Sequence, residues 1–171
     1  MDMVILLVDA SNLKRNLLFS SQIIDLKIPV VIALTMMDLA GKKGIEIDVP
    51  GLERELGVPV VPVNPRKNRG IAQLKKIISQ RAQQLNNAPI RDFISNRALA
   101  KDAVSDLKQV FPDISDYTAL HYLINHEGLH FDPHTHDRIE GIEELNQFNH
   151  TRVQAEEIMQ RYARIKQVMQ L

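Results

Sequence analysis

Three short apolar runs rich in valine and isoleucine, residues 4–8, 29–34 and 58–63, constrain this chain more than any other feature. None alternates apolar with polar residues, the mark of a strand with one wet face, so each is expected to be covered on both faces as in a parallel sheet. Helix-period segments lie between and after them. Leu13, Leu17, Ile23 and Ile24 mark the first, Leu52 and Leu56 a second stopped by Gly57, and Ile71, Leu74, Ile77, Ile78 and Leu85 the third. The order is β-α-β-α-β-α. Right-handed crossovers then predict a three-stranded parallel sheet with helices on both faces and functional loops at the carboxyl ends of the strands.

The pattern changes near residues 86–89, where a polar, turn-forming stretch ends the third helix and no valine-rich run follows. A boundary there divides the chain into an α/β part, residues 1–87, and an all-α bundle, residues 88–171. Residues 91–110 read as a helix ended by Pro112, and residues 115–125 as another with Tyr117, Leu120 and Ile124 on one face. Ile139, Ile142 and Leu145 suggest a third. The last helix is expected to start at Thr151, which forms a capping box with Gln154, and to turn Ala155, Ile158, Met159, Tyr162, Ile165 and Met169 inward.

Composition excludes several classes. Of 171 residues 44% are apolar, as in an ordinary folded chain, and the 21 basic residues equal the 21 acidic ones. No net field therefore draws the protein to nucleic acid, and no nucleic-acid partner is expected. The absence of cysteine removes disulfides and thiolate chemistry. No apolar run reaches 18 residues, so no membrane-spanning helix is expected. Asp2 and Asp9 flank the first apolar run and no basic segment precedes it, which argues against a signal peptide. That run reads instead as a buried strand beginning almost at the first residue.

Thr35, Met36, Met37 and Asp38 follow the second strand directly. A carboxylate in that place accepts two hydrogen bonds, from N1 and the exocyclic amine of guanine, a donor pair that adenine lacks. A helix cap is the other use for an aspartate here. Gly41 and Lys42 lack both the earlier glycine and the following hydroxyl of a phosphate-binding loop. Asp48 is expected to cap the helix containing Pro50 and Leu52. Asp9 and Asn12, at the end of the first strand, admit a magnesium-dependent nuclease of the PIN or NYN type, which needs three or four converging carboxylates. His121, His126, His130, His134 and His136 match no compact ligand spacing and read as solvated loop residues, so no metal site is assigned.

Residues 5–16, ILLVDASNLKRN, residues 28–38, IPVVIALTMMD, and residues 56–70, LGVPVVPVNPRKNRG, together resemble the ferrous-iron transport protein B (FeoB) family. The resemblance covers residues 4–80 and returns at residues 160–165, QRYARI. It implies the C-terminal half of a GTPase-like G domain, residues 1–87, followed by a helical regulatory domain, residues 88–171. Asp38 would read guanine, Thr35 and Met36 would shape and cover its site, and Val63, Asn64, Pro65 and Arg66 would form the opposing loop. The implied cofactor is GTP or GDP, gating ferrous iron at the cytoplasmic face of a bacterial inner membrane. The implied partners are a phosphate-binding half, which carries the magnesium site, and a membrane domain.

Two segments depart from the family pattern. Thr35 stands where asparagine is usual, and Asn64 and Pro65 stand where serine and alanine are common; Pro65 has no N–H to donate. The sequence also holds no GxxxxGK[ST] loop. Two charge-assisted hydrogen bonds from Asp38 supply roughly 3–6 kcal/mol gross, against about 8 kcal/mol for micromolar affinity. This chain alone is therefore expected to bind guanine nucleotide weakly or not at all, without catalysis, and to self-associate through the exposed first strand.

Overall fold

Strands β1 (Val4–Asp9), β2 (Val30–Thr35) and β3 (Val60–Pro62) form a parallel sheet in the order β1-β2-β3. The computed structural model describes residues 3–83 and 88–170. It divides into two units, residues 1–93 with 163–171, and residues 94–162. Leu85 and residues 86 and 87 of the expected boundary at 86–89 lie outside the described residues.

In the first unit, a 3-10 turn (Ala10–Asn12) leads from β1 into α1 (Leu13–Asp25), and α2 (Met37–Lys42) and α3 (Val49–Leu56) join β2 to β3. Helix α4 (Ile71–Ala82) follows β3. Asp48 caps α3 as the sequence suggests, its carboxylate accepting from Gly51 N at 3.0 Å, and Gly57 ends the helix at φ +69°. Right-handed crossovers put α1 and α3 on one face. On the other face, Ile71, Leu74 and Ile77 of α4 pack against Val31, Ala33, Val61 and Val63.

Strand β2 has the expected character of a strand covered on both faces, with Val30, Val31, Ile32, Ala33 and Leu34 all buried. Strand β1 does not. Leu6 and Val8 are buried, but Ile5 is 45% and Leu7 73% exposed. The register explains the difference: Ile5 pairs with Val31 and Leu7 with Ala33, on the face that α4 covers over β2 and β3, and β1 lies at the sheet edge.

The second unit contains α5 (Asn96–Leu99), α6 (Lys101–Val110), α7 (Asp116–Asn125), a 3-10 turn (His126–Gly128) and α8 (Pro133–Leu145). Its core includes Val104, Leu107, Leu120, Leu123 and Ile139, all fully buried. Helix α9 (His150–Val168) runs on from this unit, and its residues from 163 count with the first. Ser115 caps α7 by accepting from Thr118 N at 3.0 Å.

Three expectations for the helices are corrected. Residues 91–95 are not helical, and Ala100, at φ −155°, separates α5 from α6 where one helix was expected. Helix α9 starts before Thr151: Asn149 Oδ1 accepts from Arg152 N at 2.9 Å and takes the capping role. Its inner stripe is also rotated. Val153, Glu157, Arg161, Ile165 and Val168 are buried, whereas Ile158, Met159, Tyr162 and Met169 are exposed. A buried Glu157–Arg161 ion pair, one turn apart, occupies the face that a purely apolar pattern assigns elsewhere.

Candidate functional site

The carboxyl ends of β2 and β3 lie side by side because the parallel ladder continues past them, Val63 N donating to Leu34 O at 2.8 Å. This single bond brings the segment following Leu34 beside the segment following Val63. Thr35, half-buried, donates its hydroxyl to Val8 O at 3.2 Å and so braces the end of β2 against β1. Met36 then turns the chain in the left-handed conformation, φ +57°, and stands half-exposed at the head of α2.

Asp38 lies in the first turn of α2 and is exposed. The cap position of that helix belongs to Met36, which contributes no side-chain hydrogen bond. The capping role that the sequence left open for Asp38 is thus not the one it takes, and among the described residues its carboxylate has no hydrogen-bond or ion-pair partner. An aspartate in the first turn is favoured by the helix dipole while keeping both oxygens free. Chemically, it can accept two donors from a planar ligand.

The opposing loop is rigid for local reasons. Val63 is buried, and Asn64 Oδ1 accepts from Lys67 N at 3.2 Å, capping a 3-10 turn (Pro65–Lys67). Asn64 and Arg69 exchange both backbone hydrogen bonds, at 2.9 and 3.1 Å, which closes the turn at its base. Pro65 and Arg66 are exposed at its tip. Proline suits the first position of such a turn, where its missing N–H costs nothing. Gly70 ends the loop at φ +77°, and a Cβ there would stand 2.0 Å from Pro62 O. Only glycine permits that approach. The sequence reading did not single out Gly70, although the glycine at the end of a polar stretch just before a helix was the available signal.

Asp9 belongs to a different local structure. Its carboxylate accepts from Ser11 N at 2.8 Å and from Asn12 Nδ2 at 2.9 Å. The hydrogen bond from Asn12, then that from Ser11, hold it below the usual carboxylate range. A group engaged in capping its own 3-10 turn, with Asp38 as the other acid at the strand ends, does not make a multi-carboxylate nuclease centre. Among the histidines, His121, His130 and His134 are exposed as expected. His126 is buried, at 3% exposure, and His134 and His136 lie in the first turn of α8, so neither the solvated nor the loop reading holds for the whole group. Pro133 begins that helix as its first residue, where proline is tolerated, and does not break it.

Residues 1–78 match the family model for ferrous iron transport protein B. The Fe(2+) transporter FeoB of Salmonella typhimurium (strain LT2) is 47% identical over 79 residues, and that of Escherichia coli (strain K12) is 44% identical over the same length. Each match takes in 46% of this chain and 10% of the relative, so the chain corresponds to a small part of those transporters. A crystal structure of a point mutant of S. thermophilus NFeoB bound to GDP superposes with a TM-score of 0.75 at 28% identity, covering 99% of this chain and 69% of that one. The cytosolic domain of L. pneumophila FeoB gives 0.73 at 26% identity, covering 99% of this chain and 66% of that one. The helical part, beyond the sequence match, is thus included in the likeness. Residues 1–78 are thus similar to ferrous iron transport protein B, and the fold of the chain is that of the solved FeoB cytosolic regions.

Proposed function

We propose that this chain is the guanine-recognising and helical regulatory part of a GTP-controlled ferrous-iron transporter. Residues 1–87 act as the C-terminal half of its G domain and residues 88–171 as the regulatory bundle. The observation that carries the reading is the carboxylate of Asp38, exposed and without a partner among the described residues, in the first turn of the helix that follows β2, a strand whose end is hydrogen-bonded to Val63. Asp38 accepts from guanine, Thr35 and Met36 shape its surroundings, and Val63, Asn64, Pro65 and Arg66 form the facing loop. Solved relatives bound to GDP and to GMPPNP support a guanine nucleotide as the ligand.

The phosphates need donors that these residues do not supply. Productive binding and hydrolysis therefore require a phosphate-binding half holding Gly-Lys-Ser/Thr and magnesium, which packs beside β1. The exposed apolar face of β1, with Ile5 and Leu7, suits such a neighbour, and in its absence a second copy of the chain. The parent acts at the cytoplasmic face of a bacterial inner membrane, where nucleotide state controls iron passage through a membrane domain.

Fluorescent GDP and ATP are to be titrated against this chain, against a version extended upstream through the phosphate-binding loop, and against the extended Asp38→Ala variant. The expected result is GDP binding by the extended protein only, lost in the variant. Tight GDP binding by the short chain overturns the division of labour; unaltered binding by the variant overturns the role of Asp38.

A further inference from the structure

The helical unit holds a histidine and carboxylate cluster that a guanine site does not use. His126, in the 3-10 turn after α7, is buried, and its Nε2 lies 3.3 Å from Glu143 Oε1 of α8. The other carboxylate oxygen of Glu143 lies 3.1 Å from Nε2 of His150, the first residue of α9. One ligand atom from each residue falls within 4.8 Å of the others. Glu143 Oε1 is buried with no hydrogen-bond partner among the described residues. A buried carboxylate oxygen that meets the His126 nitrogen at 3.3 Å but takes no hydrogen bond from it is costly, and a cation held between the two would satisfy it.

The spacing identifies what fits. Two ligands held about 2.0–2.1 Å from a tetrahedral ion lie roughly 3.3 Å apart, and each imidazole nitrogen stands near that distance from its own oxygen of Glu143, at 3.3 Å for His126 and 3.1 Å for His150. Two imidazoles and one carboxylate suit borderline divalent ions and are a poor match to calcium or magnesium, which take oxygen ligands. We infer that His126 Nε2, Glu143 and His150 Nε2 bind one divalent transition-metal ion of the zinc type.

A further residue fits the outer part of such a site. His126 Nδ1 lies 3.2 Å from His136 Nδ1. With Nδ1–H donating to His136, the Nε2 lone pair of His126 is directed to the ion, the arrangement that ligating histidines generally adopt. His136 stands seven residues before Glu143 on α8 with buried Ile139 between them, so one helix face supplies both. The side chain of His150 is 47% exposed, which leaves the ion accessible and a fourth position for water.

The test is zinc(II) titration of the full chain, with bound metal counted after dialysis and cobalt(II) used as a spectroscopic reporter. One equivalent is expected, with a cobalt spectrum of four-coordinate type. His150→Ala, at an exposed position where folding is not at stake, is expected to weaken binding by at least about 10-fold, and His136→Ala by about 10–100-fold. His134→Ala, outside the cluster, is expected to leave it unchanged. Absence of retained zinc, or equal affinity in His150→Ala and His134→Ala, overturns the site, as does weak binding of several equivalents that His150→Ala does not alter.

Discussion

The Thr35 hydroxyl donates to the Val8 carbonyl oxygen at 3.2 Å and ties the carboxyl end of β2 to the edge strand. The bond is half-buried, so removing it leaves a carbonyl poorly solvated. Thr35→Val keeps the shape and deletes the donor. It is expected to lower stability by about 1 kcal/mol, read as a lower urea midpoint at unchanged slope.

Gly70 and Gly141 are expected to respond oppositely to alanine. At Gly70, φ is +77° and the new Cβ would meet Pro62 O at 2.0 Å, so backbone must shift. Gly70→Ala is expected to cost about 2 kcal/mol or more and to disturb the turn that carries Pro65 and Arg66. Gly141 lies within α8 with nothing within 4 Å of a built Cβ. Gly141→Ala is expected to raise stability by up to about 1 kcal/mol. Thermal melts of the two variants check both signs.

Glu157 and Arg161 show where sequence reading reached its limit. The sheet was legible because valine-rich runs and the Gly57 stop are local signals, and the segments after β2 and β3 could be named as candidates because they follow strand ends directly. In α9 the buried face runs through a charged pair, whose worth depends on partners distant in the chain: Asn96 Oδ1 accepts from Arg161 at 3.2 Å, and the guanidinium lies 4.7 Å from the Tyr117 ring centroid. Apolar periodicity cannot register that. The same applies to His126 and Glu143, which only the fold brings together. Glu157→Ala removes the carboxylate one turn away from a buried guanidinium and is expected to cost about 3–5 kcal/mol. The Glu157→Leu, Arg161→Met double variant is expected to recover most of that loss in chemical denaturation.

Asp132 caps α8, its carboxylate accepting from Thr135 N at 3.1 Å and from the Thr135 hydroxyl. The Thr135 hydroxyl, then the Thr135 N–H, lower its pKa below the usual aspartate range. A carboxylate depressed in the folded state stabilises fully above its unfolded pKa, and that contribution disappears as pH falls through the folded value. The stability gap between the parent and Asp132→Ala is therefore expected to be constant from neutral pH to about pH 5 and to shrink below about pH 4. Urea denaturation of both proteins across that range reads the gap directly; a gap unaffected by acid would show that the cap acts through geometry without its charge.

The self-association expected of this chain is expected to turn on Leu7. It is 73% exposed in the middle of an edge strand, with Ile5 at 45% on the same face and Phe19 of α1 at 60%. Ile5, Leu7 and Phe19, with Leu6, Arg15 and Asn16, line an open groove of about 450 Å³. An edge strand combines unpaired backbone groups with whatever its side chains present, and here they present apolar surface with no charge on the strand between Val4 and Val8. Covering one leucine fully contributes about 1.5–3 kcal/mol, and a symmetric pair covers two, enough for association at high protein concentration. Leu7→Lys places a solvated charge at the centre of that face, the device by which natural edge strands avoid pairing. Light scattering is expected to show concentration-dependent association of the parent chain and a monomer for Leu7→Lys. Leu145→Lys, at a position 77% exposed on α8, is the comparison for added charge alone and is expected to associate as the parent does. A monomeric parent, or equal association in Leu7→Lys, excludes the β1 face as the contact.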